Sequence, residues 1–186
     1  MTEFDRMVQG QVFGDADGTI KMARDKAMQT VHQLNATLCE HERSELFRRF
    51  LHSFGSGSKI LPPFYCEFGQ TLSIGHNTLI NMNATLLDGG KITIGDHVLI
   101  GPNCQFYTAG HSLDYRQRRQ WETTCLPICI EDDVWIGGSV VINQGVTIGA
   151  RSVIAANSVV IRDVPPDCLY GGTPATLIRH LTDKDT

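Results

Sequence analysis

No apolar run in this chain approaches the roughly 20 residues that span a bilayer. Glu3, Asp5 and Arg6 stand among the first residues, with no apolar segment fit for secretion, so a cytoplasmic protein without membrane contact is expected. Positive charge is scarce as well. Sixteen Lys and Arg against 20 Asp and Glu leave a net −4, which argues against nucleic acid as a main partner. None of the six cysteines (Cys39, Cys66, Cys104, Cys125, Cys129, Cys168) forms a CxxC pair, and a reduced compartment fits them better than a disulfide framework. Gly-x-Gly-x-x-Gly and Walker patterns are missing, which removes the nucleotide folds that depend on them. No serine sits in a nucleophile elbow. With 186 residues, 41% hydrophobic and 19% charged, the chain is long enough for one domain with a real core.

What is present is a beat of six. Large residues recur at Ile74, Ile80 and Leu86, at Ile94, Ile100 and Phe106, and at Ile130, Ile136, Ile142, Ile148, Ile154 and Val160. Small or β-branched residues stand four places after each, such as Thr78, Ala84, Val98, Cys104, Val134 and Ser152. A helix face repeats near 3.6 and a simple strand at two, so neither explains the pattern. It matches the hexapeptide repeat of a parallel β-helix, three hexads to each triangular coil, about four to five coils in all.

The beat divides the chain. Residues 1–60 read as a helical segment. Ile20, Ala23, Ala27, Val31 and Leu34 make one apolar stripe, and Leu46, Phe47, Phe50, Leu51 and Phe54 make another. Residues 61–163 read as the β-helix, with the repeat starting near Glu67, and 164–186 as a C-terminal strip packing on it. The beat slips by two residues between Leu86 and Ile94. It is interrupted by 18 residues between Phe106 and Ile130, a loop over 108–127 that carries His111, Arg116, Arg118, Arg119, Trp121 and Glu122. An insertion cannot join a rigid stack, so the loop projects, and projecting loops carry function. The ends of the stack need covers, one of them the N-terminal helices. Outward apolar residues such as Trp135, Val141 and Val153 suit packing against further copies in a closed ring.

Three blocks carry a resemblance: Tyr107-Thr108-Ala109-Gly110-His111-Ser112-Leu113-Asp114, Asp133-Val134-Trp135-Ile136-Gly137-Gly138, and Asn143-x-Gly145-Val146-Thr147-Ile148-Gly149. With Asp163-Val164-Pro165-Pro166, Gly172-x-Pro174-Ala175 and the N-terminal Gly10-x-x-Phe13-x-Asp15, the chain resembles the maltose, galactoside and nodulation-type O-acetyltransferases over nearly its whole length. The resemblance implies a left-handed β-helix and a homotrimer with active sites between subunits. It also implies transfer of acetyl from acetyl-CoA to a hydroxyl of a sugar or glycoside, with no metal.

It further implies roles for single residues. His111 is the general base, apt because its ordinary pKa lies near 6.5. Glu122 is the acidic partner that would orient it, with Asp114 as the competitor. Asn81 binds the acceptor or the developing oxyanion. Asp15, Glu67 and Asp88 fall at or beside acceptor-site positions, where carboxylates accept from several hydroxyls. Trp135, Gly138 and Ala156 line the cofactor groove, and Arg162 and Arg179 stand at positions near its phosphates. The chain departs from the pattern at Glu67 and Gly89, where the galactoside enzymes carry serine and aspartate. It departs again at Ile161, in place of threonine, and Thr176, in place of Lys or Arg.

Other readings compete. The acceptor could be an antibiotic or serine, Cys125 or Cys129 could be a nucleophile, or the β-helix could be a scaffold without catalysis. A zinc enzyme of the γ-carbonic-anhydrase type would stack its histidines at multiples of 18. His76 and His97 are 21 apart and occupy different hexad positions.

Overall fold

The computed structural model describes residues 1–14 and 16–182. Three helices lead: α1 (Glu3–Val8), α2 (Thr19–Ala36) and α3 (Glu40–Phe50). A capping box starts α1, the Thr2 hydroxyl accepting from the Asp5 N–H and the Asp5 carboxylate from the Thr2 N–H. The expected stripe of α2 is buried at Ile20, Ala27, Val31 and Leu34. Asn35 at its end clamps the helix to the first coil, donating to the Phe64 carbonyl at 2.9 Å and accepting from the Phe64 N–H at 2.8 Å. Phe47 of α3 packs its ring against Phe54 and Phe64, with centroids 5.5 Å apart in each pair. The helices thus cover one open end of the stack, as a solenoid requires.

The rest is a parallel β-solenoid with three faces. The first face holds Ser53–Phe54, Leu72–Ile74, Ile92–Ile94, Ile128–Ile130 and Thr147–Ile148. The second holds Lys59–Ile60, Leu79–Ile80, Leu99–Ile100, Trp135–Ile136 and Val153–Ile154, extended by Cys168–Gly171 and Thr176–His180. The third holds Phe64–Cys66, Ala84–Leu87, Gln105–Tyr107, Val141–Asn143 and Val159–Val160. The beat residues stack in register into the interior: Ile74, Ile94, Ile130 and Ile148 on the first face, Ile80, Ile100, Ile136 and Ile154 on the second. All of these are buried. Among the described residues no helix is long and apolar enough to cross a membrane.

The solenoid begins at Ser53, ahead of position 61, where the sequence placed its start. Phe54, Ile60 and Cys66 already keep the step of six and align with Ile74, Ile80 and Leu86. Between Cys66 and Ile74 the chain takes the same two-residue slip as between Leu86 and Ile94. Both slips fall at the corner between the third face and the first. Across the 18-residue insertion the register is unbroken, Thr93 pairing with Cys129 and Leu99 with Trp135.

Three corners connect the faces: the first corner joins first face to second, the second corner second to third, and the third corner third to first. At the first and second corners a residue turns through the left-handed region: Asn77, Asn83, His97, Asn103, Asp133, Ser139, Arg151 and Asn157 have φ between 53° and 62°. Asparagine tolerates this conformation better than most residues. Beyond Val160, Cys168–Gly171 pairs in parallel with Val153–Ile154, and Thr176–His180 doubles back antiparallel on it.

Candidate active site

The insertion is a hairpin. Ala109–His111 pairs antiparallel with Thr123–Cys125, His111 opposite Thr123, and a short helix α4 (Tyr115–Arg118) forms the tip. Its base is locked onto the third corner. The Leu126 N–H donates to the Thr108 carbonyl at 2.9 Å, and the Gly90 N–H to the Thr108 hydroxyl at 2.9 Å. Gly89 sits against Cys125, whose sulfur would lie 2.6 Å from any Cβ added there, and a Cβ at Gly110 would collide with the Gln144 amide. A side chain at Gly89, the position that departs from the galactoside pattern, would therefore displace the buried Cys125 thiol, whereas one at Gly110 would displace the Gln144 amide.

His111 is exposed on this hairpin. Its Nδ1 lies 3.1 Å from the main-chain carbonyl of Glu122 and 3.2 Å from the Thr123 hydroxyl, which itself donates to the Trp121 carbonyl at 2.8 Å. A carbonyl only accepts, so Nδ1 carries the proton and Nε2 keeps its lone pair. The ring is thus held by the Glu122 peptide oxygen, and among the described residues no bond joins the Glu122 carboxylate to His111. Asp114 is committed elsewhere. It caps α4 by accepting the Arg116 N–H at 2.9 Å and pairs with the Arg116 guanidinium at 3.1 Å. Those bonds hold its carboxyl below its ordinary pKa.

The acceptor-side carboxylates differ sharply from one another. Asp88 is wholly buried. It accepts the N–H groups of Glu67 (2.7 Å), Phe68 (2.9 Å) and Gly69 (2.7 Å) and the Thr71 hydroxyl (2.7 Å). Burial raises its pKa, and these donors oppose the shift. Placed this way, Asp88 can act on an acceptor only through the Glu67–Thr71 turn that it holds. Glu67 is half-buried, and one of its oxygens takes both Nε (2.9 Å) and Nη2 (2.6 Å) of Arg24 from α2. Asp15 lies outside the described residues.

The second corner gathers another set. Asn81 accepts the N–H of Met82 at 2.8 Å through Oδ1. Gly138 and Ala156 occupy the equivalent turn position in later coils, and among the described residues their N–H groups find no acceptor. Trp135, 55% exposed, stands beside them on the second face, in an outward column between Leu99 and Val153. Two backbone donors thus stand in line beside an exposed indole. Arg162 follows the last third-face strand, whereas Arg179 pairs with Leu169 on the second face, so one chain does not bring them together.

The third face separates the two sets. His111, Glu67 and Asp88 belong to the third corner, Asn81, Gly138 and Ala156 to the second. The intervening chain over 82–87 spans roughly 15–20 Å at ~3.3 Å per residue. Cysteine chemistry finds little support, because burial pushes the Cys125 thiol up to about 11 and raises that of Cys129. Sequence reasoning missed Arg24, Thr123 and Gln144. Arg24 was legible only as four residues after Ile20 on the stripe of α2. Thr123 follows once the hairpin register is known. Gln144, beneath Gly110, has a buried Oε1 without a hydrogen-bond partner, and nothing in the sequence marked it.

The comparisons bear on this geometry. A family model for the bacterial transferase hexapeptide (six repeats) matches residues 130–162. A hexapeptide-repeat acetyltransferase of Vibrio cholerae O1 biovar eltor, solved with acetyl coenzyme A, is 59% identical at a TM-score of 0.93, covering 98% of this chain and 100% of that one. The galactoside O-acetyltransferase of Escherichia coli (strain K12) is 36% identical over 187 residues, 100% of this chain and 91% of its own. A maltose O-acetyltransferase from Clostridium difficile 630 superposes at a TM-score of 0.95 with 34% identity, covering 98% of this chain and 99% of that one.

Proposed function

We propose, from the premise that this chain belongs to the hexapeptide-repeat acetyltransferase family, that it moves acetyl from acetyl-CoA to a hydroxyl of a sugar or glycoside, with His111 as general base. One observation carries the reading: the Glu122 carbonyl and the Thr123 hydroxyl hold His111 at Nδ1, so that in the neutral ring Nε2 keeps the lone pair. A sugar hydroxyl is a weak nucleophile at neutral pH, and Nε2 takes its proton as the oxygen attacks. Acetyl-CoA supplies an activated acyl carbon when bound. Its pantetheine arm suits the groove at the second corner, where the N–H groups of Gly138 and Ala156 are unspent and Trp135 offers an apolar wall. The uncommitted amide nitrogen of Asn81 faces the charge that develops on transfer. Arg162 and Arg179 provide cations for the phosphates.

The base and the groove lie on opposite edges of the third face, so a second copy must complete each site. A homotrimer, third corner of one chain against second corner of the next, meets that need. The apolar column Leu79, Leu99, Trp135, Val153 supplies part of the contact surface. A cytoplasmic location suits the six unpaired thiols.

The test is release of free CoA thiol from acetyl-CoA across hexoses, methyl glycosides and disaccharides, with an aminoglycoside, chloramphenicol and serine alongside. At least one sugar is expected to be acetylated on oxygen. His111→Ala should lower kcat by ~10²-fold or more, the range for a lost general base. Undiminished turnover in that variant would remove the mechanism.

A further inference from the structure

Trp121 is the largest exposed side chain of the hairpin, 81% accessible, and no aromatic or cationic contact from the described residues covers its indole. Its backbone is left-handed, φ 61°. That conformation favours glycine, and for a bulky side chain it is an outlier that carries strain. The surrounding chain enforces it. The Trp121 N–H donates to the Arg118 carbonyl at 3.0 Å, and its carbonyl accepts the Thr123 hydroxyl at 2.8 Å. The same hydroxyl lies 3.2 Å from His111 Nδ1. One threonine therefore joins the backbone that carries the indole to the ring of His111.

Neither folding nor the placing of His111 requires an indole here. A glycine would relieve the strain and leave every one of those main-chain bonds intact. A strained, solvent-facing tryptophan tied to the catalytic histidine is instead what a ligand platform requires, a large rigid apolar surface held at fixed height beside the reacting atom. Two cations of the hairpin are spoken for: Arg116 and Arg119 lie over Tyr115, with 5.8 and 5.0 Å to its ring centroid.

Resting on the sugar-acetyltransferase reading above, we propose that Trp121 is a specificity-determining residue whose indole stacks on the C–H face of the acceptor's sugar ring and sets its hydroxyl toward His111. A pyranose presents such an apolar face between its equatorial hydroxyls. The carboxylate of Glu67 takes hydroxyls at the rim, and the indole takes the ring. Trp121 moves no proton; it fixes where the hydroxyl stands.

The experiment compares wild type, Trp121→Gly and Trp121→Phe with the best sugar of the panel. Thermal midpoint and solution mass are measured on each. Trp121→Gly should keep its mass and melt no lower than wild type, because glycine suits the backbone. Its acceptor KM should rise about tenfold, a change of ~1.4 kcal/mol that fits a lost ring stack, while acetyl-CoA KM stays within about twofold. Trp121→Phe should recover most of the loss. In a Trp135→Phe background, the sugar alone should shift the Trp121 emission. An unchanged acceptor KM in Trp121→Gly overturns the proposal with the function intact. Loss of oligomer mass in that variant also overturns it, by making Trp121 a contact between copies. A wild type that acetylates no sugar sinks both readings.

Discussion

The first and second corners of the solenoid use the same turn, with a left-handed third residue, yet they close their N–H groups to different degrees. At the first corner, side chains close the ladder. His76 donates to Asp96 at 2.6 Å, Asp96 to Asp132 at 2.8 Å, and Ala150 to Glu131 at 2.8 Å. At the second corner the equivalent positions are Met82, Pro102, Gly138 and Ala156. Met82 is satisfied by its neighbour Asn81, Pro102 has no N–H, and Gly138 and Ala156 have no acceptor among the described residues. Asp132, at the same first-corner position, likewise has no acceptor for its N–H among the described residues, so stacking tolerates an open donor at either corner. What distinguishes the second corner is that Gly138 and Ala156 leave two successive coils open side by side.

Three substitutions test that division. The largest effect is expected at a closed position of the third corner. Asp88→Ala strands three N–H donors in a buried turn and should cost about 3 kcal/mol, at ~1 kcal/mol or more for each lost partner. The denaturation midpoint in urea reads it, and a loss below about 1 kcal/mol would show that the turn holds without Asp88. Next comes Ala156→Pro at the open corner. Pro102 occupies the same turn position two coils earlier in the same column, so the backbone accepts proline there. Stability should hold, while acetyl-CoA KM rises about tenfold, near 1.4 kcal/mol for one hydrogen bond in a groove. Unaltered kinetics would mean that the groove does not use that donor. The smallest effect belongs to Ala150→Pro, six residues earlier at the first corner. It should lose about 1 kcal/mol of stability with its N–H bond to Glu131, and leave acetyl-CoA KM as it was. If both proline variants behave alike, the two corners are equivalent and the contrast fails.

How much of this could be seen in the sequence depends on what kind of group does the work. Where side-chain size repeats, the chain is explicit: Ile130, Ile136, Ile142, Ile148 and Ile154 predict their own stacking, and all are buried. The first coil was hidden because Phe54 extends the apolar stripe of α3 and Pro62-Pro63 interrupts the pattern just where Ile60 and Cys66 continue it. Glu122 and Asp88 show a second limit. Each is a carboxylate in a plausible place, but one serves through its peptide oxygen and the other through a turn it staples from within. Residue type states what chemistry is available, and only burial and register decide who receives it. Arg24 and Glu67, 43 residues apart, meet because α2 lies across the first third-face strand, and no local pattern announces a contact of that kind.

The hairpin enters and leaves the stack without shifting it, since Ile94 still meets Ile130 and Ile100 still meets Ile136. To the frame, the tip of the excursion is therefore exchangeable. Segments of other lengths and sequences can replace residues 112–120 while Thr108, Cys125 and Leu126 keep the base of the hairpin packed on the third corner and His111 stays in its strand. Diversification in such a molecule is confined to that tip, with the folding problem already solved by everything around it.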